Sequence, residues 1–129
     1  MKTKTEEIFE LSCPYGNEFQ GHMSRYLFVC SAGLLRSPTA AAVALSMGYN
    51  ARSCGTEEYA LIPLSLNLIS WANKIFFVNE FNYLKALDTF KKDYLTIMDL
   101  KNKSVVWDIE DVYDYDSFNL KQTIKELLS

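Results

Sequence analysis

Soft metal ligands are scarce in this sequence: three cysteines (Cys13, Cys30, Cys54) and one histidine (His22) among 129 residues. Three thiols cannot all pair and their spacings match no zinc pattern, so neither a disulfide scaffold nor a metal site is expected, and nothing asks for a cofactor. The odd count fits a reducing compartment in which a thiol stays free for chemistry. Apolar runs long enough to cross a membrane, about 18 residues, are missing as well. Met1 to Glu10 mixes Lys, Thr and Glu where a signal peptide would have an apolar segment. The expectation is a soluble, cytoplasmic protein (host cytoplasm if the source is a virus) with no membrane partner. An excess of positive charge is also absent: the formal net charge is -3. That argues against a nucleic-acid partner but allows a locally positive pocket. What the chain does have is apolar material, 49% of its residues with 14% aromatic, enough for the core of one domain at this length.

Residues 1–24 show no periodic pattern, and Cys13-Pro14-Tyr15-Gly16-Asn17 reads as turn chemistry, so this stretch is expected to be an arm laid on a domain spanning 25–129. Tyr26 to Cys30 is a short apolar run, as a buried parallel strand would be. A helix over 37–47 follows, with Ser37 as a cap, Pro38 in the first turn, alanines inside and Gly48 at its end. Strands are predicted at 50–54, 74–78 and 104–107. Helices are predicted at 63–72, with Leu64, Leu68, Ile69 and Trp71 for a buried face, and at 80–90, carrying Phe81, Leu84 and Leu87. A last helix over 117–128 turns Leu120, Ile124, Leu127 and Leu128 inward. Alternating strands and helices imply an α/β fold: a single-domain parallel sheet of about four strands with helices on both faces. Ligands in such sheets bind at the carboxyl ends of the strands, where Cys30 falls.

Directly after the first strand stands Cys30-Ser31-Ala32-Gly33-Leu34-Leu35-Arg36-Ser37-Pro38. A thiol ends a strand, five small or apolar residues follow, and an arginine opens a helix. Such a loop can wind its amides inward as an anion nest, and the helix start adds unpaired N–H groups and partial positive charge. Only a thiolate attacks, and this environment favours an anion. Ser37 can donate to the sulfur, and Gly33 sits mid-loop where positive φ would be needed. Arg36 is a planar fork able to grip two phosphoryl oxygens, which lysine does poorly. The expected site is therefore a phosphate-binding loop with Cys30 as nucleophile, Arg36 as clamp, and Ser31, Ala32, Gly33, Leu34, Leu35 and Ser37 around the substrate. No metal is required, because amides and guanidinium supply the positive potential. A leaving oxygen also needs a proton. His22 lies in the arm, so a carboxylate of the acidic stretch is the better candidate, and composition does not choose among Asp108, Asp111, Asp114 and Asp116.

The chain resembles the low-molecular-weight protein tyrosine phosphatases from Arg25 onward, above all in Val29-Cys30-Ser31-Ala32-Gly33-Leu34-Leu35-Arg36-Ser37-Pro38-Thr39-Ala40. The family pattern there is V-C-x-G-N-x-C-R-S-P-x-A. Ser53-Cys54-Gly55-Thr56 is similar to its S-A-G-T segment, and Trp71-Ala72-Asn73-Lys74-Ile75-Phe76 to its A-D-x-I segment. Ile109-Glu110-Asp111-Val112-Tyr113 resembles its V-x-D-P-Y loop. The resemblance implies Asp111 as general acid and then base, Tyr59 and Tyr113 as aromatic pocket walls, and hydrolysis through a phosphocysteine. It also implies a phosphorylated protein (phosphotyrosine) or a small aryl phosphate as partner. Ala32 and Gly33 stand where the family has Gly-Asn, Leu35 where it has a second loop cysteine, and Val112 where it has proline. Overall the chain is most similar to a short bacterial or viral subgroup.

Two other readings use the same loop. Arsenate reduction needs further cysteines for a disulfide relay, and only Cys54 follows Cys30. A phosphate- or phosphopeptide-binding module without turnover needs only the anion-binding part. Oligomeric state is not legible.

Overall fold

A computed structural model describes residues 24–31, 33, 36–109 and 118–129 of the chain. The expected arm therefore lies outside the described residues except for Ser24, as do Cys13 and His22. Strand β1 (Arg25–Cys30) is the hub. On one side it pairs in parallel with β2 (Asn50–Gly55), Arg25 opposite Asn50 and Cys30 opposite Gly55. On the other it pairs with β3 (Lys74–Phe77), Tyr26 opposite Lys74 and Val29 opposite Phe77. The short β4 (Ser104–Val106) adds to β3, giving the order β2-β1-β3-β4, all parallel. The chain thus leaves β1 to one side for β2 and returns to the other for β3. The carboxyl end of β1 is the point where strand order reverses, the place such sheets leave open for a ligand.

Alternation along the strands splits the core in two. Phe28, Phe76 and Trp107 face α1 (Arg36–Ser46) and α5 (Phe118–Leu128), packing with Ala40, Ala41, Ala44, Leu120 and Ile124. The alanines let α1 lie close over large rings: Phe28 stacks on Phe76 at 5.1 Å between centroids, and Phe76 meets Trp107 at 5.0 Å. On the opposite face Leu27, Val29, Ile75 and Phe77 meet α2 (Leu66–Trp71), α3 (Glu80–Thr89) and α4 (Tyr94–Lys103) through Leu68, Ile69, Ala86 and Leu100. This is the α/β architecture that alternation predicts, with helices on both faces.

Four details differ from the sequence reading. The helix expected from Pro63 begins at Leu66, because Gly55 and Pro63 form a parallel bridge and Ser65 caps the turn by accepting from the Leu68 amide. Helix α4 has no counterpart in the reading, although Asp93 caps it through the Thr96 amide. In α3, Phe81 and Leu84 are exposed, and Asn82 and Ala86 point inward instead. Leu127 is likewise exposed in α5. No helix among the described residues is long and apolar enough to cross a membrane.

Candidate active site

The last four residues of β1 are buried, and Cys30 is only 3% exposed where the strand ends. Among the described residues its sulfur has two close hydrogen-bonding partners. The Gly33 N–H donates to Sγ at 3.1 Å, and Ser37 Oγ lies 3.0 Å away. Gly33 adopts φ of +72°, and a Cβ there would stand 3.2 Å from the Cys54 carbonyl carbon and the Gly55 nitrogen. Glycine is therefore required twice over, by the left-handed backbone and by the closeness of β2. Only with both satisfied can its amide aim at the sulfur.

Ser37 does not cap α1, as its position suggested. It is fully buried as the second residue of the helix, and its hydroxyl lies 3.2 Å from the Cys54 carbonyl as well as beside the sulfur. One hydroxyl proton has two acceptors in reach. With Cys30 as a thiol, the S–H can donate to Ser37 and Ser37 to Cys54. With Cys30 as a thiolate, the Ser37 proton can turn to the sulfur, so the pair accommodates either state without a vacancy.

Arg36 opens α1 and is 3% exposed. Its Nη1 donates to the Ile109 carbonyl at 2.9 Å, across 73 residues of sequence. The strand path explains this reach: Trp107 and Ile109 amides donate to Phe77 and Val78 carbonyls, and Val78 donates to Val29. Beyond β4 the chain thus runs beside the end of β3 and delivers Ile109 next to the loop. A buried cation and a helix start concentrate positive potential at one end of the sheet, beside one sulfur.

The loop is tied to β2 from below. Thr56 N–H donates to the Cys30 carbonyl at 2.9 Å, and Glu57 N–H to the Ser31 carbonyl at 3.0 Å. Because a trans peptide points its C=O and N–H in opposite directions, the first bond turns the Ser31 N–H away from β2. Asn82 braces the same residues, its Nδ2 lying 3.0 Å from Ser31 Oγ and 3.4 Å from Thr56 Oγ1. Tyr59, two residues past Glu57, is 75% exposed.

Of the residues singled out by sequence, Cys30, Gly33 and Ser37 are in contact, Ser31 and Arg36 adjoin them in the chain, and Tyr59 is exposed. Ala32, Leu34, Leu35, Asp111 and Tyr113 are outside the described residues, as are Asp114 and Asp116. Asp108 is described and exposed, immediately before Ile109. Sequence reading missed Asn82 and the Ile109 carbonyl. Among the described residues no cluster of three or more His, Cys, Asp or Glu could hold a metal ion.

Cys54 is a free thiol in the cluster on the other face of the sheet from Cys30. Burial foremost, and then the neighbouring Cys30, push its pKa well above the ordinary value of 9.0. The folded chain therefore holds the Cys54 proton more tightly than the unfolded chain does. That contribution to stability is complete below about pH 9 and is lost as pH rises through the folded value. The melting temperature of the wild type is expected to fall more steeply above pH 9 than that of Cys54→Ala. Parallel curves would contradict this.

No protein-family model and no curated protein sequence matches the chain. Solved structures do. The YwlE arginine phosphatase from Geobacillus stearothermophilus superposes with a TM-score of 0.59 at 19% identity, over 81% of this chain and 85% of that one. A low-molecular-weight protein tyrosine phosphatase from Campylobacter jejuni gives 0.54 at 16%, over 82% and 94%. The fold is that of the low-molecular-weight phosphatases. A cysteine-to-serine variant of YwlE, carrying a phosphorylated active-site serine, gives 0.55 at 19%, over 80% and 88%. At these identities the likeness is one of fold.

Proposed function

We propose that the chain is a cysteine-dependent phosphatase that hydrolyses phosphomonoesters, with phosphotyrosine in proteins as its substrate. The observation that carries this is Cys30 Sγ held between the Gly33 amide and Ser37 Oγ at the strand-order reversal, with buried Arg36 opening the adjacent helix. In the proposed reaction Cys30 sulfur attacks phosphorus and the bond to the leaving oxygen breaks. That oxygen takes a proton from Asp111. Water then attacks phosphorus, gives its proton to Asp111, and displaces the cysteine sulfur with release of phosphate. Arg36 and the loop amides of residues 31–36 hold the equatorial oxygens, where charge gathers in a loose transition state. Tyr59 and Tyr113 flank an aromatic ester. No metal or cofactor enters this scheme.

One comparison favours a second substrate. Two of the structures described above are arginine phosphatases, so a phosphoarginine side chain is the alternative for the same site. Arsenate reduction has less support, because Cys54 projects into the opposite core from Cys30 and a disulfide between them would require one side chain to change faces. A binding module without turnover would keep the anion site and lose hydrolysis.

The test is a comparison of initial rates on a phosphotyrosine peptide and a phosphoarginine peptide of the same sequence, with EDTA present. The phosphotyrosine peptide is expected to have at least about tenfold higher kcat/KM, because a rigid aryl ester fills a site walled by tyrosines. A preference of that size for phosphoarginine would replace the substrate assignment. Tight binding of both peptides without phosphate release would establish the binding module.

A further inference from the structure

The inward turn of Asn82 is unexpected for a helix with apolar side chains to bury. Phe81 and Leu84 of the same helix are 63% and 54% exposed, while the carboxamide is fully buried. The placement is enforced locally. Val78 N–H donates to the Val29 carbonyl, which fixes the end of β3 one residue short of Cys30 on the neighbouring strand. Asn79 then caps α3 by accepting from the Asn82 amide at 3.1 Å, setting the first turn and the direction of the residue three positions on. From there the Asn82 Nδ2 meets Ser31 Oγ in the loop after β1 and Thr56 Oγ1 in the segment after β2.

This arrangement costs stability. The Asn82 Oδ1 is buried and has no hydrogen-bond partner among the described residues, and a buried acceptor left unpaired is unfavourable. A buried carboxamide that leaves its own oxygen unpaired and still reaches two strand-end loops is serving those loops.

We propose that Asn82 is a positioning residue for the phosphate site: from the start of α3 its carboxamide braces the loops after β1 and β2 and holds Ser31, the residue next to Cys30, in register with the nucleophile. The inference rests on the phosphatase reading above and deepens it. Asn82 acts through Ser31 and does not touch the substrate. By donating to Ser31 Oγ it occupies a lone pair of that hydroxyl and leaves the Ser31 proton for another acceptor. It also stiffens the stretch that sets the Ser31 N–H. Donors held in place before reaction stabilise the transition state more than the bound substrate. Loss of the brace therefore falls on kcat and leaves KM nearly alone.

The experiment is a double-mutant cycle on p-nitrophenyl phosphate hydrolysis with Asn82→Ala, Ser31→Ala and the pair. Asn82→Ala is expected to lower kcat about tenfold with KM changed less than about threefold. In the Ser31→Ala background the same change is expected to cost less than about threefold, because its partner is already gone. The near-isosteric Asn82→Asp keeps the volume but offers no N–H, and is expected to match Asn82→Ala in kcat. Additive losses in the cycle, or an Asn82→Asp enzyme as fast as wild type, would overturn the proposal while leaving the phosphatase reading intact. A wild type that hydrolyses nothing would refute that reading, and the brace is then read from alkylation of Cys30 by iodoacetate. Asn82→Ala is expected to slow alkylation severalfold in chains whose circular dichroism matches wild type. An unchanged rate would overturn the brace in that case too.

Discussion

Cys30→Ser is expected to abolish hydrolysis of p-nitrophenyl phosphate, lowering kcat by at least about 10^4-fold, the scale on which loss of a covalent nucleophile is felt. The substitution is nearly isosteric, and the serine oxygen meets the same Gly33 N–H and Ser37 hydroxyl that now approach the sulfur. What changes is the chemistry. Sulfur is intrinsically the stronger nucleophile, whereas an alcohol needs a base, and neither Gly33 nor Ser37 is one. Melting temperature should hardly move, because volume and hydrogen bonds are retained, and surface groups are not involved at a site 3% exposed. The variant should still bind orthovanadate, since amides and guanidinium are unaltered. Residual turnover within about tenfold of wild type would remove Cys30 from the mechanism.

Arg36→Lys is expected to lower kcat/KM by about 10^2-fold to 10^3-fold, the usual effect of deleting one preorganised donor at a transition-state oxygen. Lysine keeps the charge but loses the fork, so it cannot hold two phosphoryl oxygens and the Ile109 carbonyl together. The Nη1 bond to Ile109 spans from the start of α1 to the stretch leading into the acidic residues. Without it a buried carbonyl loses a donor, at a cost of about 1–3 kcal/mol. Steady-state kinetics and thermal unfolding on the same preparation check both parts. A lysine enzyme within about threefold of wild type in kcat/KM would show that Arg36 serves the fold alone.

Strands β1 and β3 and helix α1 were legible because their burial is written as short apolar runs and as a run of alanines. Cys30, Gly33, Arg36 and Ser37 were singled out for another reason: a thiol at a strand end, a glycine and an arginine before a helix make a local pattern, and the fold brings Cys30, Gly33 and Ser37 into contact. What escaped was information carried across the chain. Asn82 acts on Ser31 from 51 residues away, and nothing in hydrophobic periodicity turns an asparagine inward while Phe81 stays out. Helix α4 escaped because its apolar residues lie on both sides: Leu100 is buried, but Tyr94 and Leu95 are 73% and 75% exposed. Ser37 was read as a cap because serine before Pro-Thr-Ala favours one. Its hydroxyl goes to Cys30 and Cys54 instead, partners that only the pairing of β1 with β2 brings near.

The central claim is that a phosphoryl group passes through Cys30. The most direct measurement is acid quenching of the wild-type protein during turnover of p-nitrophenyl phosphate in EDTA, followed by peptide mass mapping. The account predicts one phosphoryl group on the peptide containing Cys30, present while substrate lasts and gone when it is spent. Turnover with no phosphorylated cysteine, or with the phosphoryl group on any other residue, would contradict it.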